Sequence, residues 1–279
     1  MTEPAAGTKL GRKLAEGREA EMFAWEDGKV LRLYRTQSLA TPGKHADVEW
    51  QIAVLEAARS AGVRVPAIYG TVEVEGRPGI IMERLDGHDL LTTLGQKPWL
   101  IFRISRVTGR AHALLNQAPA PSSLPPVKER LRRLITTSAA VPDAYREPAL
   151  KALDGLPDGD RLLHGDFHPG NIMVSGGEPV VIDWSNAARG DPEADYARAR
   201  IILQAGDVPP GTQIVIRVAS KFARRLLIAL YVRSYEKVRR PDRERLARWE
   251  LPVLVARFSE GIESEYPKLA RMIEQRLRR

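Results

Sequence analysis

Three oxygen-bearing side chains, Asp166, Asn171 and Asp183, follow one another in an order and at a spacing that suits phosphoryl chemistry. Asp166 lies in the run Leu163-His164-Gly165-Asp166-Phe167-His168-Pro169-Gly170-Asn171, directly after an apolar stretch, and Asp183 closes a second such stretch in Val181-Ile182-Asp183-Trp184. A carboxylate in a loop after a strand can accept a hydrogen bond from an attacking hydroxyl, orient it and take its proton late in the reaction. An amide oxygen and a second carboxylate are hard donors suited to Mg2+, which keeps several waters and shares phosphate oxygens, so two protein ligands suffice. Pro169 and Gly170 shape a tight turn that brings Asn171 back towards Asp166. Alone, Asp166 would read as a loop residue stabilising a turn; the three residues together favour transfer of a γ-phosphoryl group.

His164 and His168 flank the first acid. Two histidines beside two carboxylates raise the alternative of zinc. Their H-x-x-x-H spacing would serve a helix, whereas Gly165 and Pro169 argue for a loop, so His164 is read as a structural hydrogen-bonding group.

The kinase pattern H-R-D-x-x-x-x-N is met by His164-Gly165-Asp166 and Asn171, with Gly in place of Arg. Together with Ile182-Asp183-Trp184 and Gly190-Asp191-Pro192-Glu193-Ala194-Asp195-Tyr196-Ala197, this run resembles the signature of the aminoglycoside phosphotransferase and choline kinase family. The resemblance extends from about residue 10 to 197 and thins out in the C-terminal helices. It implies a protein-kinase-like fold, ATP and Mg2+ as cofactors, and a small polar hydroxyl-bearing acceptor. Asp166 would be the catalytic carboxylate, Asn171 and Asp183 the metal ligands, and Asp195 the acid that braces the catalytic loop. His168 stands where protein kinases carry a phosphate-contacting lysine. Asp191 equally suits a helix N-cap.

On the nucleotide side the resemblance places a phosphate-covering loop at residues 14–20, with Gly17 as its central glycine. Arg32, in Val30-Leu31-Arg32-Leu33, takes the place of the kinase lysine and can still neutralise phosphates as a fork of donors. Its helix partner departs from the pattern: Gln51 stands where Glu is expected, and Glu49, two residues earlier, points to another face of the helix. Either Glu49 or Gln51 is expected to meet Arg32. Met82, Glu83 and Leu85 belong to the hinge, whose backbone would meet adenine.

These residues need a frame, and the hydrophobic pattern supplies an α+β one. Strands are predicted at 10–15, 21–25, 30–33, 71–75 and 79–82, with an Asp-Gly hairpin turn after the second and a helix over 46–61. Five short strands and one helix compose a small N-terminal lobe over residues 1–85, with the hinge at 82–86. Residues 86–279 read as a mainly helical second lobe. Leu100, Ile104, Val107, Ala111 and Leu114 mark one apolar helix face, and 127–137 is a further helix. Strand-like islands at 161–163, 172–174 and 180–182 surround the chemistry. Helices over 213–238 and 243–258 close the chain, the second interrupted at Pro252.

Composition bounds the remaining possibilities. The 279 residues are 43% hydrophobic and 28% charged, enough for a large core and against wholesale disorder. The net charge of +8, carried mostly by arginine, is spread among acids without the dense basic run of a nucleic-acid arm, so no nucleic-acid partner is expected. Cysteine is absent, which excludes disulfides and thiolate chemistry and fits a reducing compartment. The N-terminus lacks a signal-peptide pattern and the most apolar run, near 226–232, is too short to span a bilayer, so no membrane insertion and a cytoplasmic location are expected. Three functions compete: a small-molecule kinase, a non-catalytic nucleotide-binding module suggested by Gln51 and the glycine-poor loop, and a protein kinase, which the missing Arg, Trp184 and the lack of an A-P-E match disfavour. Glu260, Glu263 and Glu265 are candidates to hold a cationic substrate, or simply an exposed charged helix end. Substrate identity and oligomeric state stay open.

Overall fold

The computed structural model describes residues 10–16, 20–26, 28–35, 48–206 and 214–278, with side chains in the last stretch described from Lys221 onwards. Five antiparallel strands form the N-terminal sheet: β1 (Lys13–Glu16), β2 (Ala20–Ala24), β3 (Lys29–Tyr34), β4 (Ile68–Val74) and β5 (Arg77–Glu83), in the order β1-β2-β3-β5-β4. The two-residue period of the central strand divides its side chains between faces. Leu31 and Leu33 pack outward with Val74, while Val30 and Tyr34 join the main core. Arg32 falls on the Val30 and Tyr34 face, and its guanidinium lies over the Tyr34 ring at 5.4 Å. Helix α1 (Val48–Ser60) covers this face by burying Trp50, Gln51, Val54, Leu55 and Ala58. Of the sequence stripe Val48, Ile52 and Leu55, only Leu55 belongs to the inner face, which includes a polar residue, and the other two sit at its edge.

Past the hinge come α2 (Leu90–Gln96), capped by Asp89, a 3-10 turn, α3 (Ile101–Leu115), α4 (Val127–Thr137) and α5 (Asp143–Asp154). Two ribbons follow. β6 (Arg161–Leu163) pairs with β9 (Ala188–Gly190), and β7 (Ile172–Ser175) pairs with β8 (Glu178–Val181). Helices α6 (Pro192–Ala205), α7 (Ile214–Val238), α8 (Arg243–Arg257) and α9 (Tyr266–Leu277) complete the chain. The arrangement is the two-lobed, protein-kinase-like α+β fold: an antiparallel sheet with one helix, followed by a mainly helical body. Among the described residues no helix is long and apolar enough to cross a membrane.

Three sequence expectations need correction. Of the predicted stripe on α3, Ile104 is buried while Leu100, Val107, Ala111 and Leu114 are half-buried; the most deeply buried face runs through Ile101, Ile104, Ser105, Thr108, Gly109 and His112. Small and polar residues face inward because α3 lies against α7 at close range: a Cβ on Gly109 would sit 2.5 Å from the Tyr231 carbonyl oxygen and 2.9 Å from the Tyr235 nitrogen. Second, α8 runs unbroken through Pro252, which is itself buried with Trp249, Val253 and Leu254; this packing outweighs the lost backbone bond. Third, α5 and α9 were not anticipated; α5 carries Pro148 in its interior and α9 has Pro267 in its first turn.

The Gly109 contact has a measurable consequence. Gly109→Ala must push α3 away from α7 and should destabilise the fold by about 1–3 kcal/mol despite its better helix propensity. Denaturant unfolding checks this; an unchanged or raised midpoint would show that the helices have slack.

Candidate active site

The β6-β9 and β7-β8 ribbons present the loop 164–171 and the residue after Ile182 to a large open cleft beneath the sheet, of about 1400 Å³. Asp166 and Asp183 both line it. Gly165, with φ at 76°, turns the chain into the loop, and a Cβ there would lie 2.2 Å from the Asn186 carbonyl oxygen. Glycine thus stands in place of the kinase arginine for a steric reason. The guanidinium arrives instead from α6: Arg198 donates through Nε to the Gly165 carbonyl, and its Nη2 lies 3.8 Å from Asp166 Oδ1. His168 Nε2 lies 3.7 Å from Asp166 Oδ2. Burial works against ionisation of Asp166, but His168 and the charge of Arg198 outweigh it and hold the carboxyl well below its ordinary range.

The loop hangs from one buried carboxylate. Asp195, on α6, accepts from the backbone amides of His164 at 2.9 Å and Gly165 at 2.8 Å. It also accepts from Asn116 Nδ2 at 3.0 Å and meets His112 Nε2 at 3.0 Å. Burial again opposes ionisation, and His112, His164 and Asn116 together reverse the balance, so this carboxyl too is held well below the usual range. Asp191 caps α6 by accepting from the Glu193 amide at 3.2 Å, and it accepts from Trp249 Nε1 at 2.9 Å.

His164 is fully buried, and both ring nitrogens are engaged. Nε2 donates to the Ile182 carbonyl at 3.0 Å, and Nδ1 accepts from the Asp166 amide at 3.3 Å. Burial lowers its pKa, which suits a neutral bridge between the Asp166 loop and the Asp183 strand. His164 thus acts as a structural hydrogen-bonding group, with no lone pair left for a metal. His168 Nδ1 accepts from the Gly170 amide at 3.0 Å and so caps the turn Pro169–Asn171. Trp184 is buried, and its Nε1 donates to the Val181 carbonyl at 3.1 Å.

The candidate metal donors fit a magnesium site by their chemistry. Asn171 spends its Nδ2 on the Asp166 carbonyl at 2.8 Å and on Asp166 Oδ2 at 3.3 Å. Among the described residues its Oδ1 has no protein donor. Asp183 is exposed to the cleft in the left-handed region, with φ at 58°, and only its Oδ1 is engaged, by Ser185 Oγ at 2.8 Å. Such a backbone position costs about 1–3 kcal/mol and is typical of sites where a side chain must be aimed. Among the described residues no group of three or more His, Asp or Glu is arranged to hold a metal, so an ion on Asn171 and Asp183 would complete its shell with water and phosphate oxygens.

On the nucleotide side, Arg32, Gln51, Met82, Glu83 and Leu85 all line the cleft. Gly17 lies outside the described residues. Neither expected partner of Arg32 is bonded to it. Among the described residues Arg32 forms no ion pair, and Gln51, 2% exposed, leaves Nε2 without a partner. The Glu83 side chain turns away from the cleft to Arg64 Nη2 at 3.0 Å and the Ala67 amide at 3.2 Å, so its contribution there is backbone.

The residues that sequence reasoning missed are His112, Asn116, Arg130 and Arg198; Glu260, a candidate from the sequence, does line the cleft, beside Arg198. One signal was available. Asp191, Asp195 and Arg198 recur at spacings of four and three on one face of α6; that face meets the catalytic loop.

The family model described as the phosphotransferase enzyme family matches residues 11–249. The chain belongs to this family. Over 88 residues this phosphotransferase-family chain is 34% identical to the uncharacterized protein YcbJ of Escherichia coli K12, a match spanning 29% of each chain. It thus spans under a third of the length of that curated relative. Solved structures with the same fold include a thermostable variant of aminoglycoside phosphotransferase APH(4)-Ia in ternary complex with ADP and hygromycin B. That structure has a TM-score of 0.59 and 17% identity, over 96% of this chain and 92% of that one. A choline/ethanolamine kinase family protein from Mesorhizobium loti has a TM-score of 0.58 and 14% identity, over 98% of this chain and 87% of that one. Membership places the chain among the phosphotransferases, and the solved structures share its fold.

Replacing the bracing acid tests the site's architecture. Asp195→Asn removes the charge and sets an amide NH2 against the Gly165 amide on one side or the three donors on the other, which should cost roughly 2–4 kcal/mol. Because the folded-state pKa of Asp195 is depressed, its contribution is complete above the unfolded value of about 3.9 and is lost as pH falls through the folded one. The stability gap between wild type and variant should therefore be constant near neutrality and narrow below pH about 4. A gap that stays constant into acid would mean that the charge of Asp195 contributes nothing.

Proposed function

We propose that this protein transfers the γ-phosphoryl group of ATP, with Mg2+, to a hydroxyl of a small polar molecule. The observation that carries the reading is Asp166: a carboxylate held ionised by Arg198 and His168, at the wall of a cleft that Asp183 shares and that Arg32 from the sheet and Gln51 from α1 line. Bound ATP and Mg2+ would supply the transferable group and the neutralising charge, the metal on Asn171 and Asp183, the phosphates near Arg32 and the residue 14–20 loop.

Asp166 accepts the hydrogen bond of the acceptor hydroxyl and aims its lone pair into the cleft. A carboxyl with a depressed pKa is a weak base, so it orients the hydroxyl first and holds the proton only once the new bond has largely formed. The amides of Glu83 and Arg84 are already spent on the Ala67 and Gly28 carbonyls, at 2.8 and 2.9 Å. The Leu85 amide is therefore the hinge donor we assign to adenine. His168, second to Asp166, is a positioning residue in this scheme. The runner-up reading, a non-catalytic nucleotide-binding module, draws on the missing Arg32 partner and the unpartnered Gln51 amide.

Turnover separates the two. Asp166→Ala should lower phosphoryl transfer by roughly 10²–10⁴-fold while leaving nucleotide affinity nearly unchanged; unaltered turnover would remove Asp166 from the mechanism. Asp183→Ala should weaken Mg2+-dependent ATP binding in a calorimetric titration. A metal titration indistinguishable from wild type would overturn the assignment of Asp183 as ligand.

A further inference from the structure

The acceptor side of the cleft is built by α4, which contributes Glu129, Arg130 and Arg133, by Arg198 of α6, and by Ser259 and Glu260 beyond α8. The acids that a cationic acceptor would need are already committed. Glu260 lies 2.6 Å from Arg198 Nη2 and is also paired with Arg257 Nη1. Burial would raise its pKa, but the two guanidiniums outweigh burial and keep it ionised. Glu265 is 4% exposed and holds Arg257 at 2.9 and 3.0 Å. Glu263 is exposed and is not part of the cleft wall. Glu129, exposed at the rim, is screened by water. The candidate ammonium cage of Glu260, Glu263 and Glu265 therefore does not form.

Arg130 is in the opposite condition. Its guanidinium donates to the backbone carbonyl and to Oδ1 of Asn186, which fixes the side chain in place through neutral acceptors. Among the described residues no carboxylate forms an ion pair with it. Burial first, then the like charge of Arg198, lower its pKa to about 10, with the charges of Glu260 and Asp166 offsetting part of this, so it stays cationic. Its anchor Asn186 packs directly on Gly165, one residue from Asp166. An anion placed against Arg130 would thus lie beside the carboxylate that receives the acceptor hydroxyl.

We propose that the acceptor is a hydroxyl compound bearing an anionic group, a carboxylate or a phosphate, which Arg130 binds with Arg198 and Arg133 beside it. This rests on the kinase reading above and names its substrate class. The planar donor fork of arginine matches either anion in a bidentate manner. An aminoglycoside or a choline-like alcohol would bring its positive charge up to these three guanidiniums.

Calorimetric titration of the whole protein with four probes on one pyranose frame tests the proposal: glucuronate, glucose 6-phosphate, glucose and glucosamine. The expected result is binding of glucuronate or glucose 6-phosphate at least about tenfold tighter than glucose and glucosamine; the tighter of the two anions identifies carboxylate or phosphate. Arg130→Gln should lose at least about tenfold in affinity for that anion, and Arg130→Lys should recover part of it, with ATP affinity unchanged. Arg133→Gln, at an exposed residue of the same cleft wall, should weaken the same anion severalfold, and it keeps the test decisive if Arg130→Gln misfolds. Preference for glucosamine, no binding of either anion, or anion affinity indifferent to both variants would overturn the proposal. Failure of wild type to bind ATP would sink the kinase reading instead, and the anion titrations would still decide this site.

Discussion

The buried carboxylate of Asp195 is the constraint on which the catalytic loop depends. It collects two backbone amides from the loop and two side-chain donors from α3, and those partners are themselves held. His112 Nδ1 lies 2.7 Å from the Tyr231 hydroxyl, and Asn116 Oδ1 accepts from Tyr235 at 2.8 Å. One charge thereby joins the loop, α3, α6 and α7. A lone carboxylate in this interior would cost several kcal/mol of lost hydration; four donors satisfy it, and the donors are available only when all these elements are in place. The close helix contact at Gly109 serves the same end, since it lets α3 bring His112 and Asn116 into range.

Electrostatics at Asp166 follow from that frame. Gly165 admits the tight turn but supplies no charge, and Arg198, three residues beyond Asp195 on the same helix, supplies it from outside the loop. The bracing acid and the cation beside the acceptor-orienting acid thus ride on one rigid element. Arg198 also engages Glu260, so the acceptor wall and the catalytic loop are fixed relative to each other.

Much of this was legible in the sequence where the signal is local. The helix Val127–Thr137 and the strand Arg161–Leu163 appear with the predicted bounds, and the five-strand sheet needs only shifted ends. Asp166 and Asp183, 17 residues apart in the chain, do share one cleft. What escaped was the polar core. The inner face of α3 is marked by Ser105, Thr108, Gly109 and His112, so a search for apolar periodicity settles one residue away from it. His112 and Asp195 are separated by 83 residues, and Arg198 and Glu260 by 62; nothing in a local window ties them together. Proline misled in the other direction, since burial of Pro252 makes an interrupted helix tolerable.

The two sides of the cleft share one electrical feature. Arg32 descends from the sheet with no carboxylate partner among the described residues, and Arg130 stands on the opposite wall held only by a neutral amide and a carbonyl. Each cation sits where a ligand would bring negative charge: nucleotide phosphates above and, on the proposed reading, the acceptor anion below. Ligands that supply missing countercharge bind the folded chain and not the unfolded one, so each stabilises it in proportion to its occupancy. Asp166, ionised and set between these cations, would then lie where the two anionic ligands are drawn towards each other. Their mutual repulsion is the cost of that convergence, and Arg198, the cation adjacent to Asp166, is the group placed to offset it.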